Sequence, residues 1–189
     1  LLAGAFFGDA RYVRGTYQFQ KFFPVSRNVT LAMNTQFDYG KGLGGQSYPF
    51  YRNLYAGGLG SVRGFDTSTI GPVSTSSTGA VSYLGGSKRL VANVELQFPF
   101  PGMTKNRDVR LFAFADAGGL WGDTSVVSLD GCNYGKISFS GCNGLRYSYG
   151  VGLTWNSPIG PLKFSYARPV NAKTNDKIQK FQFQIGSSF

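Results

Sequence analysis

Tyr147-Ser148-Tyr149-Gly150-Val151-Gly152-Leu153-Thr154-Trp155 is the stretch that decides the fold class. Every odd position is bulky and apolar or aromatic, and every even position is Ser, Gly or Thr. A period of two residues is that of a β-strand, here with one greasy face and one small polar face. In a soluble sandwich the greasy face points inward. In a membrane barrel it points to lipid, with Tyr and Trp at the interfaces.

The same alternation recurs along the chain. Val13, Tyr17 and Phe19 alternate with Arg14, Thr16, Gln18 and Gln20, and Val29, Leu31, Met33 and Phe37 with Thr30, Asn34, Gln36 and Asp38. Leu90, Val94, Leu96 and Phe98 alternate with Arg89, Asn93, Glu95 and Gln97. Leu162, Phe164 and Tyr166 flank Lys163 and Ser165, and Phe181, Phe183 and Ile185 flank Gln182 and Gln184. The segment Val109 to Gly118 is strand-like but less tidy, and Asp116 falls at its end. About seven strands result, most near the roughly 9–11 residues a tilted membrane strand needs. Short connections (Phe22 to Asn28, Asn156 to Pro161) alternate with long ones (Gly40 to Lys88, Trp121 to Leu145), as periplasmic turns alternate with extracellular loops. The polar faces carry Gln, Asn, Arg, Glu and Thr, as a water-filled lumen requires. An exposed sandwich face is polar too, but the glutamines and the scarcity of Lys/Glu pairs favour the lumen. The expected fold is all-β: a transmembrane antiparallel β-barrel, of which the chain supplies about seven strands and a long loop.

Composition narrows the function. Charged residues are 15% of the chain, against roughly 25% in typical globular proteins, and aromatics are 16%. No run approaches the roughly 18 apolar residues of a spanning helix. The formal charge of +10 raises nucleic acid as a partner, but the basic residues are scattered and no basic helix or finger gathers them. Headgroup, lumenal or solvated charge is the better reading, so no nucleic-acid partner is expected. Histidine is absent, which removes the commonest general base and the usual metal ligand. A Ser-His hydrolase is thereby excluded within this chain, and neither an enzymatic activity, a metal site nor a cofactor is expected. Cys132 and Cys142 lie in a Gly/Ser/Asn-rich stretch. A disulfide between them would imply an oxidising compartment and would stabilise the loop by about 3 kcal/mol in the chain-entropy model. Two free loop thiols are the alternative.

The long loop carries the most specific motif, Tyr55-Ala56-Gly57-Gly58-Leu59-Gly60-Ser61-Val62-Arg63-Gly64-Phe65. Glycines permit positive φ and close packing. Further markers are Gly85-Gly86 leading into Ala92-Asn93-Val94-Glu95, then Phe114-Ala115-Asp116-Ala117-Gly118, Ser157-Pro158-Ile159-Gly160-Pro161-Leu162 and the closing Phe181-Gln182-Phe183-Gln184-Ile185-Gly186. As an ordered set these residues resemble the BamA family of outer-membrane protein assembly factors, across nearly the whole chain. The resemblance implies a C-terminal part, residues 1–189, of a barrel domain of the bacterial surface antigen type. The family's POTRA domains and the first part of its barrel have no counterpart here.

It further implies that the long loop folds into the barrel, with Val62, Arg63, Gly64 and Phe65 at its docking point and Glu95 and Asp116 as wall carboxylates for Arg63. A planar guanidinium matches a carboxylate in a way lysine cannot; the plainer alternative is a solvated loop arginine. Phe181, Phe183, Ile185, Gly186 and terminal Phe189 correspond to the family's last strand, which meets the first at a seam that opens sideways. Gly186 is expected to interrupt that strand and ease the opening, with a glycine at a frayed strand end as the alternative. By resemblance the location is the bacterial outer membrane. The implied partners are unfolded outer-membrane protein clients, assembly-machinery lipoproteins and outer-membrane lipid. A related transporter that exports one partner protein, as in two-partner secretion, shares the Arg-Gly loop and is the rival function. A small complete barrel acting as adhesin or pore is a second rival.

Overall fold

The computed structural model describes residues 2–5, 11–76, 78–102, 108–122, 132–158 and 160–186. Its chain runs β1 (Leu2–Ala5), β2 (Tyr12–Pro24), β3 (Thr30–Gly42), a 3-10 turn (Phe50–Arg52), β4 (Gly64–Phe65), β5 (Val73–Thr75) and β6 (Val81–Tyr83). There follow β7 (Lys88–Pro99), β8 (Val109–Trp121), β9 (Arg146–Ser157), β10 (Gly160–Pro169), β11 (Ile178–Gln179) and β12 (Phe181–Ile185). Eight of these form one antiparallel sheet in the order β1-β2-β3-β7-β8-β9-β10-β12. All seven strands read from the alternation are present. The eighth, β1, is four residues long, too short to give a periodic signal. The sheet is open among the described residues, with β1 at one edge and β12 at the other.

Several expected boundaries shift. The first turn is tighter than Phe22 to Asn28, because pairing continues to Pro24↔Thr30 and the reversal is closed by Val25 N–H donating to Val29 O at 2.9 Å. Asp116 does not end its strand. Pairing with β7 carries on to Lys88↔Trp121, because Gly118, Gly119 and Leu120 stay extended under the docked loop. Gly186 follows the last residue of β12 instead of interrupting it. Its φ of +96° lies in the left-handed region, which ends the strand, while its N–H still donates to Pro161 O at 2.8 Å.

The two faces of the sheet are the reverse of a soluble protein's. Tyr17, Tyr149, Val151, Tyr166, Phe181 and Ile185 stand exposed on the outer face, while Asp38, Arg63, Glu95, Asp116 and Arg146 are buried on the inner side. The apolar core lies on the inner side too, where the long loop covers the sheet: Leu54, Ala56, Val62, Phe65 and Ile70 pack with Leu120 of β8. A second cluster joins Phe112, Phe114 and Ala167. These two phenylalanines explain why the β8 pattern reads untidily, since they occupy inner positions. Gly150 and Gly152, opposite Phe114 and Phe112 in the register, make room for them.

A Cβ on Gly152 would lie 2.2 Å from the Phe112 ring and 2.3 Å from the Phe164 carbonyl oxygen, so the backbone itself blocks a side chain there. Gly152→Val should therefore cost at least about 1–3 kcal/mol, the usual scale of overpacking. The check is the urea midpoint in lipid vesicles; an unchanged midpoint would contradict this packing.

Candidate functional site

The loop between β3 and β7 is folded before it docks. Leu54 and Gly86 exchange backbone hydrogen bonds at 2.7 and 2.9 Å, and Ile70 N–H donates to Ala56 O. Gly57 turns the chain at φ +110°; a Cβ there would sit 2.4 Å from Asp66 O. The loop's tip then runs along the inner wall as β4. It pairs with β11 (Gly64↔Gln179, Phe65↔Ile178), and Asp66 N–H donates to Lys177 O at 2.8 Å. Gln182 of β12 grips the same segment, donating from Nε2 to Phe65 O at 2.7 Å and accepting Gly64 N–H at 3.4 Å. Val62 fills the space above Gly118, where a Cβ would come within 2.5 Å of it, and Phe65 is fully buried.

This backbone path places Arg63 between β7 and β8. Its Nε and Nη2 donate to Asp116 Oδ2 and Oδ1, each at 2.7 Å, its main-chain N–H adds a bond to Oδ2 at 3.0 Å, and Nη1 donates to Glu95 Oε2 at 2.8 Å. Asn93 Nδ2 supplies a fourth donor to Asp116 at 2.9 Å and also binds Ser61 O at 2.6 Å. Asp116 thus has its acceptor capacity filled. Glu95 takes Gln97 Nε2 on Oε1 and Lys163 Nζ on Oε2, both at 2.9 Å. The Phe114 ring lies 3.6 Å from the guanidinium carbon, and Phe112 lies under both Arg63 and Lys163. Burial disfavours the Arg63 charge, but hydrogen bonds and charge from Asp116 and Glu95 outweigh it, so its pKa is raised.

The positions named from sequence fall into three places. Val62, Arg63, Gly64, Phe65, Glu95 and Asp116 come together at the inner wall. Phe181, Phe183 and Ile185 form the outer face of β12, where Phe183 packs on Phe164 at 4.9 Å between ring centroids. Cys132 and Cys142 are joined in a disulfide inside the loop between β8 and β9. Phe189 and Ile159 lie outside the described residues. Sequence reasoning missed Asn93, Phe112, Phe114, Lys163 and Gln182. The two phenylalanines on the polar parity of β8, facing glycines on β9, were the available signal. It also missed two further ion clusters: Asp38 with Arg14, Arg89 and Thr16, and Arg146 with Asp176. Arg146 also donates to Cys142 O and Gly144 O, so it ties the disulfide loop to the segment before β11. Among the described residues there is no group of three or more His, Cys, Asp or Glu side chains placed to hold a metal.

The Omp85 superfamily domain matches residues 2–189 of this sequence. The chain belongs to the Omp85 superfamily. Within it, the outer membrane protein assembly factor BamA of Neisseria meningitidis serogroup B is 41% identical over 95% of this chain and 24% of its own length. A SAM50-like protein of Schizosaccharomyces pombe is 28% identical over 96% of this chain and 37% of that protein. The crystal structure of BamA from Haemophilus ducreyi lacking POTRA domains 1–3 superposes with a TM-score of 0.79. It is 32% identical and matches 91% of this chain and 34% of that one. The chain thus spans roughly a quarter to just over a third of these Omp85 relatives.

Removing the Arg63 guanidinium leaves the buried Asp116 carboxylate without its cation, while Glu95 retains Lys163 and Gln97. Breaking a buried pair in this way costs about 3–5 kcal/mol, so Arg63→Ala should speed hydrogen exchange of the loop tip by roughly two orders of magnitude or more. Strand amides of β7 to β10 should keep their protection. Equal exchange in both proteins would show that the loop is held by other contacts.

Proposed function

We propose that this chain is the C-terminal part of the barrel of an outer-membrane protein assembly factor, which folds and inserts β-barrel proteins into the bacterial outer membrane through a lateral seam. The observation that carries the reading is the Arg63 loop docked on Glu95 and Asp116 in an Omp85 chain whose 41%-identical relative is an assembly factor. The reversed faces of the sheet support a membrane barrel, because aromatic and aliphatic residues outside and ions inside suit lipid around a polar lumen. The seam is assigned to β12, with five residues against the ten of its neighbour β10, and to its outer residues Phe181, Phe183 and Ile185. Gly186 belongs to the same end of the seam; Phe189 lies outside the described residues.

The mechanism needs no bond chemistry. An unfolded client adds as a strand to exposed backbone donors and acceptors at the weakly paired edge. Aromatic side chains of the outer face hold the barrel in lipid while this edge opens. The Arg63 lock braces the wall strands β7 and β8 from inside, and Gln182 links the loop to β12. The Cys132–Cys142 disulfide stiffens an extracellular loop. Partners of the complete protein are unfolded outer-membrane protein clients, assembly-machinery lipoproteins and outer-membrane lipid.

Two measurements test this function. Depleting the parent protein should lower many unrelated outer-membrane barrels, with rescue by the parent gene and none by its Arg63→Glu version; loss of one secreted protein alone would point to a dedicated transporter. Val151, on the exposed outer face of β9, should reside near the bilayer midplane, where an arginine costs about 2–4 kcal/mol. Val151→Arg should lower the unfolding midpoint in vesicles accordingly. A neutral effect, as at a water-facing surface, would contradict the membrane placement.

A further inference from the structure

Glu95 Oε2 accepts two cationic donors at once, Arg63 Nη1 at 2.8 Å and Lys163 Nζ at 2.9 Å. The two cations come from different parts of the molecule. Arg63 belongs to the loop, whereas Lys163 belongs to the wall, on β10, and is positioned by the Phe112 ring 4.5 Å from its ammonium. Asp116 is treated differently. Among the described residues its donors are Arg63 and the neutral Asn93 amide. If the loop leaves the wall, Asp116 loses its cation, but Glu95 keeps both Lys163 and the Gln97 amide.

We propose that Lys163 is a positioning residue of the loop lock that competes with Arg63 for Glu95 and keeps that carboxylate neutralised when the loop disengages, which makes docking reversible. The sign follows from charge. With Lys163 present the docked cluster is neutral, and undocking exposes one uncompensated carboxylate, Asp116. Without Lys163 undocking strands two neighbouring carboxylates, and Arg63 is relieved of a like charge sharing its acceptor oxygen. Arg63, Glu95 and Lys163 also line a cavity of about 290 Å³ with Gln18, Gln20 and Gln36, so the Lys163–Glu95 pair has polar surroundings when Arg63 is gone. A plain strut would act the other way: its removal would loosen the loop.

The experiment is hydrogen exchange of residues 58–66 in the intact parent protein in lipid. Lys163→Met should slow that exchange by roughly five- to tenfold, within the range of neighbouring-residue couplings. Lys163→Arg should leave it within about twofold of the parent. In an Arg63→Ala background Lys163→Met should no longer slow exchange, because no guanidinium remains to compete with. Faster or unchanged exchange in Lys163→Met would overturn the proposal. If Lys163→Met loses its compact, heat-modifiable form, Lys163→Gln carries the same test; failure of both to fold would make Lys163 a structural strut and overturn it equally.

Discussion

The structure depends on one guanidinium reaching two carboxylates at the middle of a sheet wall. Arg63 cannot be hydrated where it sits, and neither can Asp116 or the greater part of Glu95. Such a buried cluster contributes less to net stability than its short distances suggest, because three charged groups had to be desolvated. What it contributes is a unique position. Only one placement of the loop fills both oxygens of Asp116 while putting Nη1 on Glu95, so any slip of the loop along the wall leaves charge unpaired.

Much of the surrounding sequence serves that placement. Gly57 reverses the loop, Gly64 takes φ +90° so that β4 can lie against β10 and β11, and Gly118 admits Val62. Phe114 supplies a ring face to the guanidinium, and Gly150 yields the space for that ring. Gln182 then ties the loop to the last described strand, so the inner lock and the edge assigned to the seam share a residue. A movement of β12 away from β10 must therefore either carry the loop tip with it or break the Gln182 bonds.

The strands were legible because a half-buried β-strand repeats every two residues, and seven of them are long enough to display it. The Arg63 site was legible only with the family resemblance. Periodicity put Glu95 on the polar face of its strand, but nothing in the spacing of residues 63, 95 and 116 brings them together; that takes the register of β7 on β8 and the fold of a long loop. Residues that act through tertiary packing were hidden. Phe112 and Phe114 looked like noise in the alternation, Lys163 looked like one more lumenal charge, and Gln182 looked like one more polar residue in a strand. The pairing of β4 with β11 joins segments more than a hundred residues apart with two residues each, below the reach of any pattern. The extent of β8 beyond Asp116 was obscured because its last residues are glycines and core residues under the loop.

The central claim is that Arg63 and Asp116 act as one unit in holding the loop. A double-mutant cycle in the intact protein tests it most directly, with Arg63→Ala, Asp116→Asn and the pair together, reading the opening free energy of the loop tip by hydrogen exchange. The account predicts strong non-additivity, a coupling of about 2–3 kcal/mol, at the upper end for residues in one buried network. Additivity within about 0.5 kcal/mol would contradict it and would mean that the loop is held by its other contacts, the apolar packing and the hydrogen bonds of β4 with β11 and Gln182.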